Sequence, residues 1–210
     1  NLLSLNISEA WKHSRGDGQL VAVIDTGVTP GPRLPDVEGG GDLVESTDGL
    51  TDCDGHGTLV AGLIAGQPGA DGFSGGAPNA RLISIRQSSA HFAARDLGED
   101  PVVAQANRDV ATLARAVVRA ADAGARVINI STVACVPANK NVDQSELGAA
   151  LRYAAVEKDA VIVAAAGNTG GGTACESNPL TDPARPSDPR NWASVNSVSI
   201  PSWWQPYVLS

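Results

Sequence analysis

Three polar residues have side chains suited to acid–base and oxyanion chemistry, and each lies just after a predicted strand or at the start of a predicted helix. Asp25 directly follows an apolar run, and His56 lies between two glycines that leave its imidazole ring approachable. Asn168 ends a run of small residues and offers a neutral amide, a donor suited to a developing oxyanion. Taken singly, each has a simpler explanation: a turn cap, a structural histidine, and a left-handed turn residue. Their combination favours a catalytic group.

The elements that must position these residues follow a βαβ pattern. Apolar runs at residues 20–24, 81–85, 125–130 and 160–165 predict buried strands, and helical periodicity predicts helices at 57–66, 107–124 and 145–157. We therefore expect an α/β fold with a mostly parallel sheet and helices on both faces. In such sheets the site lies beyond the carboxyl ends of the strands, which is where Asp25 and Asn168 fall.

Composition predicts one globular domain and excludes some functions. The chain has 210 residues, 42% of them hydrophobic and 18% charged, with no internal repeat and no linker that would divide residues 1–210. The net charge of −8 argues against DNA or RNA as a partner. The apolar run at 161–166 is far shorter than the roughly 20 residues that cross a bilayer. Residues 88–106 are predicted to be a polar insertion, and residues 170–192 a long surface loop.

Four stretches together resemble the subtilisin-like serine proteases, in which the catalytic residues follow the chain order Asp, His, Ser. They are Val21-Ala-Val-Ile-Asp-Thr-Gly-Val28, Asp54-Gly-His-Gly-Thr-Leu-Val-Ala-Gly62, Val127-Ile-Asn-Ile-Ser131 and Val163-Ala-Ala-Ala-Gly-Asn168. The resemblance spans nearly the whole chain and implies the three-layer subtilisin-like fold.

The resemblance also implies a role for each residue. Asp25 would orient the His56 imidazole, which would take the proton from a serine hydroxyl and return it to the leaving amine, and Asn168 would donate to the oxyanion. A protein or peptide substrate would lie along an edge and a pocket formed by Ser131, Thr132, Val133, Ala166 and Gly167. This chain reads Thr132-Val-Ala-Cys135 where many members have a Gly-Gly pair, so the shape of the pocket cannot be carried over.

One component of the family's machinery is missing from the sequence. Members carry a Gly-Thr-Ser motif well after the asparagine, and nothing between Asn168 and Ser210 has that form. The stretch Tyr207-Val-Leu-Ser210 looks like the beginning of another core strand. We therefore expect residues 1–210 to be the N-terminal part of one peptidase domain, truncated before the last strands and the serine-bearing helix.

Further stretches resemble the mycosins, membrane-anchored subtilisin-like proteases of type VII secretion systems. They are Ala10-Trp-Lys-His-Ser-Arg-Gly-Asp-Gly-Gln19, Leu82-Ile-Ser-Ile-Arg-Gln-Ser88 and Ile200-Pro-Ser-Trp-Trp-Gln-Pro-Tyr-Val-Leu209. Three cysteines alone leave open a cytosolic protein with reduced thiols or an exported one. The resemblance implies export, a Cys135–Cys175 disulfide, a partner for Cys53 upstream of Asn1, and a membrane anchor beyond Ser210.

Two functions therefore compete. The first is an endopeptidase associated with a type VII secretion complex, and the second is a non-catalytic scaffold or capping subunit of that complex. A nucleotide-binding domain lacks support, because no glycine-rich phosphate-binding motif follows the first strand. The sequence predicts no cofactor and no metal ligand, since no carboxylate cluster suggests a calcium site.

Overall fold

The computed structural model describes residues 6–92, 100–168, 175–185 and 187–210. Its strands and helices follow one another in chain order. They are α1 (Ile7–Ala10), β1 (Leu20–Asp25), β2 (Val37–Asp42), α2 (His56–Ala65), β3 (Arg81–Arg86), α3 (Pro101–Asp122), β4 (Val127–Ile130), β5 (Ala134–Pro137), α4 (Ser145–Arg152), a π-helical turn (Tyr153–Glu157), β6 (Val161–Ala164), β7 (Ser197–Ile200) and β8 (Val208–Leu209). The four predicted strands and three predicted helices are all present.

Six strands form a parallel sheet in the order β2-β3-β1-β4-β6-β8. β1 lies at its centre and is buried throughout, as its unbroken apolar run predicts. The chain runs from β1 to the edge strand β2, comes back to β3 beside β1, and then crosses to β4 on the other side of β1. This reversal of direction opens a crevice at the carboxyl end of β1, where Asp25 is the last residue of the strand.

Helices cover both faces of the sheet, so the predicted three-layer α/β architecture is confirmed. On one face, Ala22 and Ile24 of β1 pack with α3 and α4 residues such as Val117 and Leu147. On the other face, the alternate residues Val21 and Val23 pack with small residues of α2. The period-two alternation along β1 thus separates two hydrophobic cores and holds the strand rigidly between them.

The structure corrects the predicted length of the polar insertion. α3 begins at Pro101, where Asp100 accepts a hydrogen bond from the amide of Val103 (3.2 Å) and so caps the helix. The expectation that residues 88–106 form an insertion was therefore wrong for its last part. Residues 93–99 of the predicted insertion lie outside the described residues, as do residues 170–174 and 186 of the predicted loop at 170–192.

The sequence did not predict β2, β5 or β7. β2 is a glycine-rich strand at the edge of the sheet, and β5 pairs antiparallel with β7 in a separate two-stranded sheet. β8 adds to β6 as the apolar stretch near Ser210 suggested. Within the described ranges, no helix combines the length and apolar character needed to cross a membrane.

A buried ion pair links the carboxyl ends of the neighbouring strands β2 and β3. Arg86 is fully buried, and its Nη1 lies 3.1 Å from Asp42 Oδ2 and 3.0 Å from Glu45 Oε2. Burial alone would raise the pKa of Asp42, but hydrogen bonds from Glu45, Thr47, Val44 and Arg86 outweigh it and hold that pKa below its ordinary value. The ionised Asp42 carboxylate therefore stabilises the fold fully at pH values above its ordinary pKa. This stabilisation is lost as the pH falls through the lowered pKa.

We expect Asp42→Asn to lower the free energy of unfolding by about 2 kcal/mol at neutral pH, because Arg86 stays buried with only Glu45 to balance its charge. The difference from the parent should shrink below pH 3.8, the ordinary pKa of the carboxyl group. Urea unfolding at neutral pH and at about pH 3 measures both effects. A difference that did not change with pH would contradict this assignment of charge.

Candidate active site

Asp25 is held rigidly at the carboxyl end of the central strand. Its side chain is fully buried, and the amide of Thr26 donates to its Oδ1 at 2.7 Å. Its backbone carbonyl accepts hydrogen bonds from the amides of Gln87 (2.8 Å) and Ser88 (3.4 Å), which follow β3. The carboxylate therefore has little freedom to move.

His56 is the first residue of α2 and contacts Asp25 directly, with 2.7 Å between His56 Nδ1 and Asp25 Oδ1. Because a carboxylate can only accept, this contact places a proton on Nδ1 of the imidazole and leaves Nε2 as an acceptor when the ring is neutral. The His56 side chain is 58% exposed, whereas that of Asp25 is 0% exposed. The pair thus presents an oriented proton acceptor to solvent.

Glycines allow α2 to approach the end of β1 closely enough for this contact. Gly57 is buried, and a β-carbon there would overlap the carbonyl oxygen of Gly27 and lie 3.1 Å from the Asp25 β-carbon. Gly55, which precedes His56, has a φ of 76° that favours glycine. The two glycines that flank His56 are therefore a requirement of backbone geometry.

The structure places Asn168 at the same edge of the sheet, four residues after the end of β6. Its side chain is exposed, while its backbone carbonyl accepts a hydrogen bond from the amide of Cys175 at 2.8 Å. Gly167 has a φ of 118°, and a β-carbon there would lie 2.6 Å from Cys175 Sγ. Backbone contacts therefore hold the Asn168 segment and leave the amide side chain free for a ligand.

The predicted substrate-binding residues lie between Asp25 and Asn168 along the edge, because β4 separates β1 from β6. Ser131, Thr132 and Val133 directly follow β4 and are partly buried, and the amide of Ser131 donates to the carbonyl of Ile24 at 3.3 Å. Ala166 and Gly167 follow β6 and lie outside its regular pairing. The structure thus gathers these five residues at one edge.

Sequence reasoning assigned no role to Gln87, yet its buried side chain joins several parts of the site. Its Oε1 accepts from Thr132 Oγ1 at 2.9 Å, and its Nε2 donates to Thr112 Oγ1 of α3 at 2.8 Å. The only signal in the sequence was its position just after a buried strand. Gln87 therefore ties the predicted substrate edge to α3.

A cavity of about 210 Å³ opens beside this edge. Gln87 and Thr132 line its polar side together with Asp109, while Val110, Leu113 and Ile200 line its apolar side. Burial raises the pKa of Asp109, against an opposing hydrogen bond from Gln105. The cavity could accept a side chain of moderate size that carries a hydrogen-bonding group.

The predicted disulfide is confirmed: Cys135 is bonded to Cys175, with the two α-carbons 5.1 Å apart. It joins β5, which continues the Ser131–Val133 edge, to the residue whose amide contacts Asn168. Cys53 is a free, exposed thiol. The disulfide therefore links the predicted substrate edge covalently to the predicted oxyanion segment.

Across the described ranges, no three His, Cys, Asp or Glu side chains are grouped so that they could hold a metal ion.

The loop after α2 packs around the guanidinium of Arg33. Arg33 donates to the carbonyls of Gln67 (2.7 Å) and Phe73 (2.9 Å), and its Nη1 lies 3.2 Å from Asp71 Oδ2. The Arg33 guanidinium thus binds two carbonyls and one carboxylate of a single loop.

We expect Arg33→Met to lower the free energy of unfolding by about 1 kcal/mol, because it removes charge-assisted hydrogen bonds that are partly open to solvent. Urea unfolding measures the loss. Arg185→Met is the matched control, since Arg185 has an exposed ion pair with Asp182 three residues away and should change stability by less than about 0.5 kcal/mol. Equal effects in the two variants would contradict a specific role for Arg33.

Comparison with known proteins relates this geometry to a family. Residues 16–203 match the family model of the Subtilase family. The chain is 70% identical over 210 residues to Mycosin-3 of Mycobacterium tuberculosis (strain ATCC 25618 / H37Rv), an alignment that covers 98% of this chain and 46% of the relative. The chain thus spans about half the length of that relative.

Solved structures agree with the sequence match. The MycP3 protease from the type VII (ESX-3) secretion system superposes with a TM-score of 0.90 and 74% identity, covering 100% of this chain and 56% of that one. A chain of the periplasmic assembly from the ESX-5 inner membrane complex superposes with a TM-score of 0.88 and 52% identity, covering 99% and 55%. With the Asp25–His56 pair at the carboxyl edge of a parallel sheet, these matches establish that the chain belongs to the subtilase family, within which it is similar to the mycosins.

Proposed function

We propose that this chain supplies Asp25, His56 and the oxyanion asparagine Asn168 of a serine endopeptidase. The observation that carries the proposal is the 2.7 Å contact between buried Asp25 and exposed His56, which leaves Nε2 of the ring available as a base. Subtilase membership and the position of Asn168 at the same edge support it. In this proposal, residues 1–210 form the N-terminal part of one peptidase domain, and the nucleophilic serine comes from sequence outside the chain.

In the proposed reaction, Nε2 of His56 takes the hydroxyl proton as the serine oxygen attacks the substrate carbonyl. Asp25 stabilises the imidazolium that forms, and the Asn168 amide donates to the carbonyl oxygen as it becomes negative. The C–N bond then breaks, and the imidazolium gives its proton to the leaving amine. Water hydrolyses the acyl-enzyme by the same steps in reverse, with His56 again acting as base and then acid.

An uncovered apolar surface supports the proposal that further sequence packs beside His56. Leu59 and Leu63 of α2 are 73% and 64% exposed. On β6, Ile162 and Ala164 face α3 and α4, so Val161 and Val163 face the opposite side, where α2 packs, and both are exposed. A helix that is apolar all round is normally buried. In the proposed domain, sequence outside this chain, including the serine, would cover these residues.

The same family likeness supports an association with a type VII secretion complex on the outer side of the plasma membrane. The ESX-5 match is a chain of a periplasmic assembly, and the Cys135–Cys175 disulfide is typical of an oxidising compartment. We propose that Cys53 pairs with a cysteine outside the chain and that a membrane anchor also lies outside it. Protein and peptide substrates, rather than nucleic acid, fit the net charge of −8.

A non-catalytic scaffold or capping role is the second candidate, favoured by the likeness to a chain of that assembly. Fluorophosphonate labelling of the native protein that contains this chain decides between the two. Label on a serine outside residues 1–210, lost in the His56→Ala variant, is the expected result. A native protein that contains all parts of the domain yet takes no label would overturn the catalytic proposal and favour the scaffold.

A further inference from the structure

A second carboxylate, Asp52, is hydrogen-bonded to neighbours of Asp25 and His56 but, among the described residues, to neither of those two side chains. It accepts four hydrogen bonds: Oδ1 from Thr26 Oγ1 (2.8 Å) and the amide of Gly55 (2.9 Å), and Oδ2 from the amide (2.8 Å) and hydroxyl (2.6 Å) of Thr58. Every donor belongs to a residue next to Asp25 or within two positions of His56. Asp52 therefore connects the backbone on both sides of the pair.

Thr26 completes the connection from the side of β1. Its amide donates to Asp25 Oδ1 (2.7 Å), its hydroxyl donates to Asp52, and the same hydroxyl accepts from the amide of Gly57 at 3.0 Å. The amide and hydroxyl of this one residue thus link the Asp25 carboxylate, the Asp52 carboxylate and the first turn of α2. A change in the position of Asp52 would be transmitted to both partners of the 2.7 Å contact.

Asp52 also takes the place of the missing helix cap. Gly55 precedes α2 and has no side chain to accept from the free amides of the first turn. Asp52 accepts from the amide of Thr58, the third residue of the helix, and its negative charge lies near the positive end of the helix dipole. His56 is the first residue of that same turn, so the cap sets the direction from which its ring reaches Asp25.

The charge on Asp52 persists under ordinary conditions. Burial alone would raise the pKa of Asp52, but the hydrogen bonds from Thr58, Thr26 and Gly55 outweigh burial and hold the pKa below its ordinary value. Charged acceptors make stronger hydrogen bonds than neutral ones, so the four contacts form a stiff unit.

We propose that Asp52 is a positioning residue that maintains the hydrogen bond between His56 Nδ1 and Asp25 Oδ1. Only the expected effect of Asp52 on the reaction rate rests on the proposed protease function. The hydrogen bond itself exists with or without catalysis. It can therefore be observed independently, through the far-downfield NMR resonance of an imidazole Nδ1 proton bonded to a carboxylate.

The test compares the native protein with its Asp52→Asn variant. Asparagine keeps the volume but replaces one acceptor oxygen with a donor that would face the donors of Gly55 or Thr58. We expect the downfield resonance to weaken or disappear, and the kcat for peptide hydrolysis to fall roughly 10- to 100-fold with KM changed less than about threefold. Circular dichroism confirms that the variant measured is folded.

Asp42→Asn is the matched control. Asp42 also accepts four hydrogen bonds, from Val44, Glu45, Thr47 and Arg86. None of these residues adjoins Asp25 in the chain or lies within two positions of His56, although Arg86 pairs with Asp25 across the sheet. A merely structural effect would lower stability in both variants, whereas a positioning effect alters the resonance and kcat only in Asp52→Asn. If Asp52→Asn does not fold, Thr26→Val breaks the same connection with an isosteric side chain and should alter both readouts in the same direction.

The outcomes are distinct. An unchanged resonance in folded Asp52→Asn, or an equal loss in Asp42→Asn, overturns the positioning role even if the protein is an active protease. A parent protein that shows the resonance but hydrolyses no peptide contradicts the proposed function, and loss of the resonance in Asp52→Asn would still support the positioning role.

Discussion

Replacing Asp25 with asparagine in the native protein should lower kcat for peptide hydrolysis by about 10³- to 10⁴-fold and change KM little. The reason is the charge. When His56 takes the serine proton, the imidazolium forms 2.7 Å from a buried carboxylate oxygen, and asparagine removes the negative charge that stabilises it. Because this interaction is made mainly in the transition state, its loss appears in kcat.

The new amide can take two orientations, and each is unfavourable for a different reason. If its oxygen keeps the contacts with Thr26 and His56, two N–H donors replace Asp25 Oδ2, a buried atom that accepts no hydrogen bond from the described residues. If the amide flips, its NH₂ group faces His56 Nδ1 and favours the ring tautomer with its proton on Nε2, which cannot act as a base. The first arrangement should also lower the free energy of unfolding by about 1–3 kcal/mol.

Steady-state kinetics with urea unfolding of the same samples measures both effects. Asp36→Asn is the matched control, because Asp36 is an exposed carboxylate just before β2, and it should leave kcat within about twofold of the parent. A full-rate Asp25→Asn enzyme would mean that His56 is not the base. A loss of activity explained entirely by unfolded protein would leave the 2.7 Å contact without a catalytic consequence.

Much of the fold could be predicted because its main elements carry local signals. β1 begins with a continuous apolar run, β3 is largely apolar, and the middle of α3 places apolar residues on one side of a helix. The start of α3 was missed although Asp100 followed by Pro101 is a recognised helix-start pair, because the first turns lack apolar periodicity. The capping pair, rather than apolar periodicity, marks the start of this helix.

Other elements have no local signal to find. β2 reads Val37-Glu-Gly-Gly-Gly-Asp42, and it is a strand because β3 offers a free edge and Gly40 fits where a β-carbon would lie 2.6 Å from Ile85 Cγ1. β5 and β7 are four residues each, lie far apart in sequence, and form only when they pair. Tertiary context therefore decides these elements.

The site could be predicted in part. That residues after β1 and β6 share an edge follows from the parallel sheet, and the family resemblance named Asp25, His56 and Asn168. The contacts of Asp52 and Gln87 could not be predicted, because each depends on loops that meet only in the folded chain. The positioning role of Asp52 and the substrate-binding roles of the five edge residues are therefore proposals.

Asn168→Ala should give the second-largest loss, about 10²- to 10³-fold in kcat with little change in KM, because the amide donates to an oxygen that becomes negative only in the transition state. The fold should be almost unaffected: the Asn168 side chain is exposed, and alanine retains the backbone carbonyl that accepts from Cys175. The loss should therefore occur at an unfolding free energy within about 0.5 kcal/mol of the parent.

This combination of a large rate effect with unchanged stability separates Asn168 from the other residues of its segment. Reducing the Cys135–Cys175 disulfide or replacing Gly167 alters the backbone that carries the amide, so stability and rate should fall together. Asn141→Ala, at an exposed asparagine before α4, provides the control for simple loss of a surface amide and should leave kcat unchanged. If Asn168→Ala retains full kcat, another donor must stabilise the oxyanion, and the arrangement of the edge after β6 would serve substrate binding instead.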